Sequence, residues 1–134
     1  MALIVDTGAV ELLRRGDRRA EGLILRHYPP VLCAHVVGEF LFGQSNGNVS
    51  TEDYEHAQNY LNSFEFIQPG FATAEIYADI RAKLGARGFK MSDPDYWIAA
   101  HAVERNEPVL STDRGFCRIE GLWVHLLDPT RAQE

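Results

Sequence analysis

Four acidic residues stand out by their surroundings rather than their number. Asp6 ends the apolar run Leu3-Ile-Val, and Asp113 follows Leu110-Ser111-Thr112. Glu39 lies inside Val36-Val-Gly-Glu-Phe-Leu-Phe, and Asp95 inside Asp95-Tyr-Trp-Ile-Ala-Ala-His-Ala. A carboxylate on a buried face costs several kcal/mol, of the order of ~3, unless it is paired or ligates a cation. No lysine is near any of the four in sequence. Hard divalent cations such as Mg²⁺ and Mn²⁺ prefer oxygen ligands. Four carboxylates converging in one crevice would therefore call for such an ion. The hydroxyls of Thr7 and Ser111 are placed to hydrogen-bond the set.

Convergence depends on the elements that carry these residues. Short apolar runs over Ala2–Val5, Val31–Cys33, Phe64–Ile67, Pro108–Leu110 and Leu122–Leu127 read as strands. Helical spacing covers Val10–Arg15, Arg18–Tyr28, His35–Phe42, a segment capped by Ser50, Thr73–Ala86 and the segment after Pro94. Gly43–Asn48 reads as a polar loop, and Asp93 before Pro94 as an N-cap. Strands alternating with helices predict an α/β fold with a central parallel sheet of about five strands and helices on both faces. In such sheets ligands bind beyond the carboxyl ends of the strands, at the topological switch point. Asp6 and Asp113 fall at such ends.

The pattern resembles the PIN domain, and within it the VapC-type ribonuclease toxin of bacterial toxin–antitoxin pairs. Four blocks carry the resemblance: Leu3-Ile-Val-Asp6-Thr7-Gly-Ala-Val, Val36-Val-Gly-Glu39-Phe-Leu-Phe-Gly43, Pro94-Asp95-Tyr-Trp-Ile98-Ala-Ala-His101-Ala, and Leu110-Ser111-Thr112-Asp113-Arg114-Gly115-Phe116. The resemblance spans residues 2 to about 127, and so implies one PIN domain over residues 1–134. It implies a metal-dependent endoribonuclease in which Asp6, Glu39, Asp95 and Asp113 hold Mg²⁺ or Mn²⁺. The implied products carry a 5′-phosphate and a 3′-hydroxyl. The implied partners are RNA, a second copy of the chain in a homodimer, and a cognate VapB-type antitoxin that blocks the acidic pocket. The family often has a second acid before the last Phe, and here that position is Gly115.

Composition is compatible with this. The 134 residues are 46% hydrophobic and 24% charged, which is ordinary for one globular domain. No apolar run reaches the ~18 residues of a membrane span, and the N-terminus does not read as a secretory signal, so a cytoplasmic protein is expected. The net charge of −6 argues against a non-specific nucleic-acid binder. Its distribution is uneven, since residues 27–80 hold seven acids and no Lys or Arg. Arg14, Arg15, Arg114 and Arg118 are the candidate RNA phosphate contacts. Cys33 and Cys117 read as buried thiols, the histidines as surface or satisfied core residues, and Trp97 and Trp123 as core or interface. Neither GxGxxG nor GxxxxGK[ST] is present, which disfavours nucleotide binding. The alternatives are a PIN fold that binds RNA or antitoxin without cutting, a Toprim-like nuclease, and a receiver-type signalling module. The last two lack the required strand-end acids or downstream lysine.

Overall fold

The computed structural model describes residues 2–45 and 49–128. Its elements run β1 (Leu3–Val5), α1 (Thr7–Arg14), α2 (Arg18–Arg26), β2 (Pro30–Cys33), α3 (Ala34–Ser45) and α4 (Thr51–Leu61). They continue with β3 (Glu65–Ile67), α5 (Phe71–Ala86), α6 (Asp93–Arg105), β4 (Val109–Ser111), a 3₁₀ turn over Arg114–Arg118, and β5 (Val124–Leu126). The expected strands and helices are all found. Most boundaries shift by one to three residues, as where α1 begins at Thr7 rather than Val10, and two shifts bear on the site. The helix of α3 continues through Gly43 to Ser45, where a loop was expected, and residues 46–48 lie outside the described residues. The N-cap of α6 is Ser92, not Asp93, because the Ser92 hydroxyl accepts from the Asp95 amide while the Asp93 carboxylate is engaged by Tyr77 and Arg81.

The five strands form one parallel sheet in the order β3-β2-β1-β4-β5. All residues of β1, β2 and β4 are buried, the expected state of parallel strands covered on both faces. Leu3, Ile4, Val5, Val31, Leu32, Val109 and Leu110 form the centre of the core. Val10 and Leu12 of α1, Val36 and Phe40 of α3, and Ile98, Ala99 and Ala102 of α6 pack around them.

The order of the strands fixes where a site can form. The chain steps outward from β1 to β2 to β3, then returns to lay β4 on the other side of β1. The connections leaving β1 and β4 therefore diverge and open a crevice at their carboxyl ends. The Asp6 amide still donates to the Leu110 carbonyl at 3.0 Å, so Asp6 stands at the mouth of this crevice.

Gly8, in the first turn of α1, lies close against the other wall. A Cβ there would stand 2.5 Å from Thr112 Oγ1, closer than atoms can pack. Gly8→Ala is expected to destabilise the fold by about 1 kcal/mol, because overpacking outweighs alanine's helix preference. Thr112→Ala should remove most of that cost. Urea unfolding of both single variants and the double variant measures the coupling, and additive effects would show that this contact is unimportant.

Candidate metal centre at the strand ends

Each of the four carboxylates is delivered by a different element. Asp6 leaves β1 and caps α1, its Oδ1 accepting from the Ala9 amide at 2.8 Å. Its Oδ2 accepts from the Ser111 hydroxyl at the end of β4. Ser111 Oγ in turn accepts from the Asp113 amide at 2.8 Å, linking the two acids through one fully buried hydroxyl. Asp113 Oδ1 caps the 3₁₀ turn by accepting from Gly115 N at 2.8 Å. A side chain at 115 would press on that oxygen, since its Cβ would lie 3.1 Å away. Glu39 comes from α3 and accepts from the Thr7 hydroxyl at 3.1 Å. Asp95 sits in the first turn of α6, its amide donating to Ser92 Oγ at 3.4 Å.

These groups feel one another. Burial lifts Asp6 from 3.8 to about 6, opposed by its bonds to Ser111 and Ala9 and reinforced by the nearby Asp95 and Asp113 charges. Burial also raises Asp95, and Asp113 and Glu39 push it in the same direction. Asp6 is buried, Asp95 half-buried, and Glu39 and Asp113 exposed, so the cluster opens from the sheet to solvent. Among the described residues, no ion pair involves any of the four. Asp6 thus lies near enough to Asp95 and Asp113, and Asp95 to Asp113 and Glu39, for their charges to interact, although among the described residues no three of the four bring ligand oxygens within 4.8 Å of one another. Thr7 and Ser111 are the hydroxyls that hold them.

This donor set fits a hard divalent cation. Its charged donors are all carboxylates, and burial, reinforced by the neighbouring acids, makes two of them resist ionisation. It is an open arrangement rather than a closed cage. A cavity of about 750 Å³ along α5, lined by Ile76, Ile80, Leu84, Val103 and Ile119, includes none of the four acids.

The family model that matches is the PIN domain, over residues 3–122. The chain belongs to the PIN-domain family. Solved structures with the same fold include VapBC2 from Rickettsia felis bound to a DNA fragment from its promoter. That match has a TM-score of 0.83 at 20% identity, covering 96% of this chain and 100% of that one. VapBC-1 from nontypeable Haemophilus influenzae gives 0.83 at 18% identity over 94% and 98%. VapBC-5 from Mycobacterium tuberculosis, of the VapBC family of toxin–antitoxin systems, gives 0.70 at 23% identity over 95% and 98%. At these identities the likeness is one of fold. Comparison with curated protein sequences gives no match.

Other expected site residues of this PIN domain are placed less tightly. Arg14 and Arg15, at the end of α1, are exposed, and the Arg14 guanidinium lies 5.5 Å from the Phe40 ring centre. Arg114 is exposed directly after Asp113. Arg118 is exposed, stacks 4.3 Å from the Phe89 ring centre and lines the α5 cavity. No helix of the described residues is long and apolar enough to cross a membrane.

Three expectations change. Cys117 is exposed, because the 3₁₀ turn points Phe116 inward and its neighbour outward. Trp123 is half exposed, set edge-on to His27. His101 is buried on α6, but its Nε2 has no hydrogen-bond partner among the described residues, so it is not a satisfied core histidine. Cys33, His35 and His101 each offer a ligand atom within 4.8 Å of the others. Sequence reading missed this group, because sixty-six positions separate His35 from His101 and only folding joins them.

Proposed function

We propose that this PIN domain is a divalent-metal-dependent endoribonuclease, the toxin member of a VapBC-like pair. The observation that supports this reading is that carboxylates from the ends of β1 and β4 and from α3 and α6 act on one another's charge while none is ion-paired among the described residues. Asp6, Glu39, Asp95 and Asp113 would hold Mg²⁺ or Mn²⁺. When bound, such an ion lowers the pKa of water and offsets charge on a phosphate and its leaving oxygen.

The protein's own contribution is positional. Ser111 and the Ala9 amide fix both oxygens of Asp6, so its carboxylate cannot rotate away. Thr7 orients Glu39 from the same turn that Asp6 caps. Asp95 and Asp113 complete the rim, open to a strand of RNA. Attack by water requires no nucleophilic side chain, and the Thr7 and Ser111 hydroxyls are engaged with Glu39 and Asp6. Arg14, Arg15 and Arg114 would meet the RNA backbone, with Arg118 further out. A cognate antitoxin would insert a basic side chain among the acids, supplying the charge that they lack. Several solved structures with the same fold are VapBC structures, which supports such a partner. A homodimer in the cytoplasm completes this reading.

The test is cleavage of total RNA with Mg²⁺ or Mn²⁺, beside EDTA and an Asp95→Asn variant. Discrete fragments should appear with the wild type and vanish in both controls. Fragments that survive EDTA or the substitution would overturn the assignment, and sequencing of fragment ends would otherwise identify the target.

A further inference from the structure

We propose that Cys33, His35 and His101 form a Zn²⁺ site, chemically distinct from the acidic cleft, with solvent as the fourth ligand. The three residues come from three elements: Cys33 ends β2, His35 lies in the first turn of α3, and His101 lies within α6. One ligand atom from each lies within 4.8 Å of the other two. Tetrahedral Zn²⁺ holds such donors roughly 3.3–3.6 Å apart, given bond lengths of about 2.3 Å to sulfur and about 2.0 Å to nitrogen. Small side-chain rotations, closing the group by about 1 Å, would complete the geometry.

A second observation points to a ligand. His35 Nδ1 and His101 Nε2 are both buried without a hydrogen-bond partner among the described residues. Leaving a buried polar atom unsatisfied costs about 1–3 kcal/mol, and native proteins rarely place two in one spot. A metal ion satisfies imidazole nitrogens by taking their lone pairs. His101 is only 1% exposed and Cys33 is fully buried, so the site is built into the core rather than scattered on the surface. The His35 ring is stacked on Trp97, with ring centres 5.3 Å apart and planes 8° apart, which fixes its plane.

The donor chemistry separates this site from the first. A thiolate with two imidazoles suits Zn²⁺, whereas carboxylates alone suit Mg²⁺ or Mn²⁺. Binding would release the Cys33 thiol proton to solvent. The half-buried His35 gives the side from which the ion and its solvent ligand enter. The consequence is mechanical. Helix α3 also carries Glu39, one turn past His35, and α6 also carries Asp95, so one ion would brace the two helices that deliver half of the acids. None of this depends on the nuclease reading.

Co²⁺ is the probe, because a cobalt–thiolate bond gives an intense near-ultraviolet charge-transfer band that oxygen ligands do not. Untagged, full-length protein titrated with Co²⁺ should develop that band at one equivalent, and Zn²⁺ should bleach it. The band should persist in Asp95→Asn and in Cys117→Ser, and disappear in Cys33→Ser. His35→Ala, at a half-buried position, guards against a folding failure of the core variant and should weaken binding at least tenfold with an unchanged circular dichroism spectrum. Zn²⁺ should also raise the unfolding midpoint of the wild type and not of His35→Ala. Absence of the band in folded wild type, its survival in Cys33→Ser, or its loss in Cys117→Ser would each overturn the proposal.

Discussion

Asp6→Asn is expected to yield a more stable protein that has lost its metal-dependent cleavage. Burial raises the Asp6 carboxyl from 3.8 to about 6, so the folded chain disfavours the charged form. Below the unfolded value both states are protonated and the residue costs nothing. As pH rises between those two values the folded state gives up its proton less readily, and wild-type stability declines. Above about 6 the penalty is complete, and a rise from 3.8 to about 6 is worth about 3 kcal/mol. Asparagine has no such charge, and its amide can still accept from Ala9 and donate to Ser111. The variant should therefore be more stable than wild type by ~1–3 kcal/mol near neutral pH in EDTA, with the difference shrinking as pH falls below about 6 and gone below 3.8. Urea unfolding of both proteins across that range measures it. A stability difference that does not change with pH would show that Asp6 is not a strained carboxylate. Mn²⁺ should raise wild-type stability and leave the variant unmoved, since an ion that binds only the folded state stabilises it.

Ser111→Ala should have the next largest effect. Its hydroxyl donates to Asp6 and accepts from the Asp113 amide, at a fully buried position. Alanine fills almost the same space but leaves a backbone N–H without its acceptor and a carboxylate without its donor. Stability should drop by about 1–3 kcal/mol. Metal affinity and cleavage rate should both fall by about 10–100-fold, the usual effect of removing a partner that orients a ligand. Calorimetric metal titration together with single-turnover cleavage separates the two losses. Unchanged metal affinity would mean that the hydroxyl serves the fold alone. The bond to Ser111 lowers the Asp6 pKa, so its loss should also move the acid limb of any pH–rate profile upward.

The sheet and its site were readable because parallel strands announce themselves. Leu3-Ile-Val, Val31-Leu-Cys and Val109-Leu are apolar without alternation, and the first and third run into polar residues, Asp6 and Ser111, at the end of the strand. An acid at such a stop has a place fixed by topology, which is why Asp6 and Asp113 could be singled out. Glu39 and Asp95 were visible as charges within apolar helices. What could not be read was anything that depends on side chains meeting across the fold. Ser92 and Asp93 are both good caps, and only the presence of Tyr77 and Arg81 on α5 decides between them. The outward turn of Cys117 follows from the inward turn of Phe116, a choice made by packing. The grouping of Cys33, His35 and His101 depends on how α3 meets α6, for which no spacing in the chain is a proxy.

The place of β1 in the middle of the sheet has a bearing on the life of the chain during its own synthesis. Strand β1 is paired on one side with β2, but its other edge stays open until Val109 and Leu110 arrive. A ribosome therefore makes the first of these carboxylates more than a hundred residues before the last. Pairing across such a sequence distance is slow to close. Until it does, Asp6 has no Ser111 to hold it and no Asp113 beside it. A nascent or prematurely terminated chain that stops short of β4 cannot join Asp6 to Ser111 and Asp113, so the strand-end acids meet only once β4 has been made.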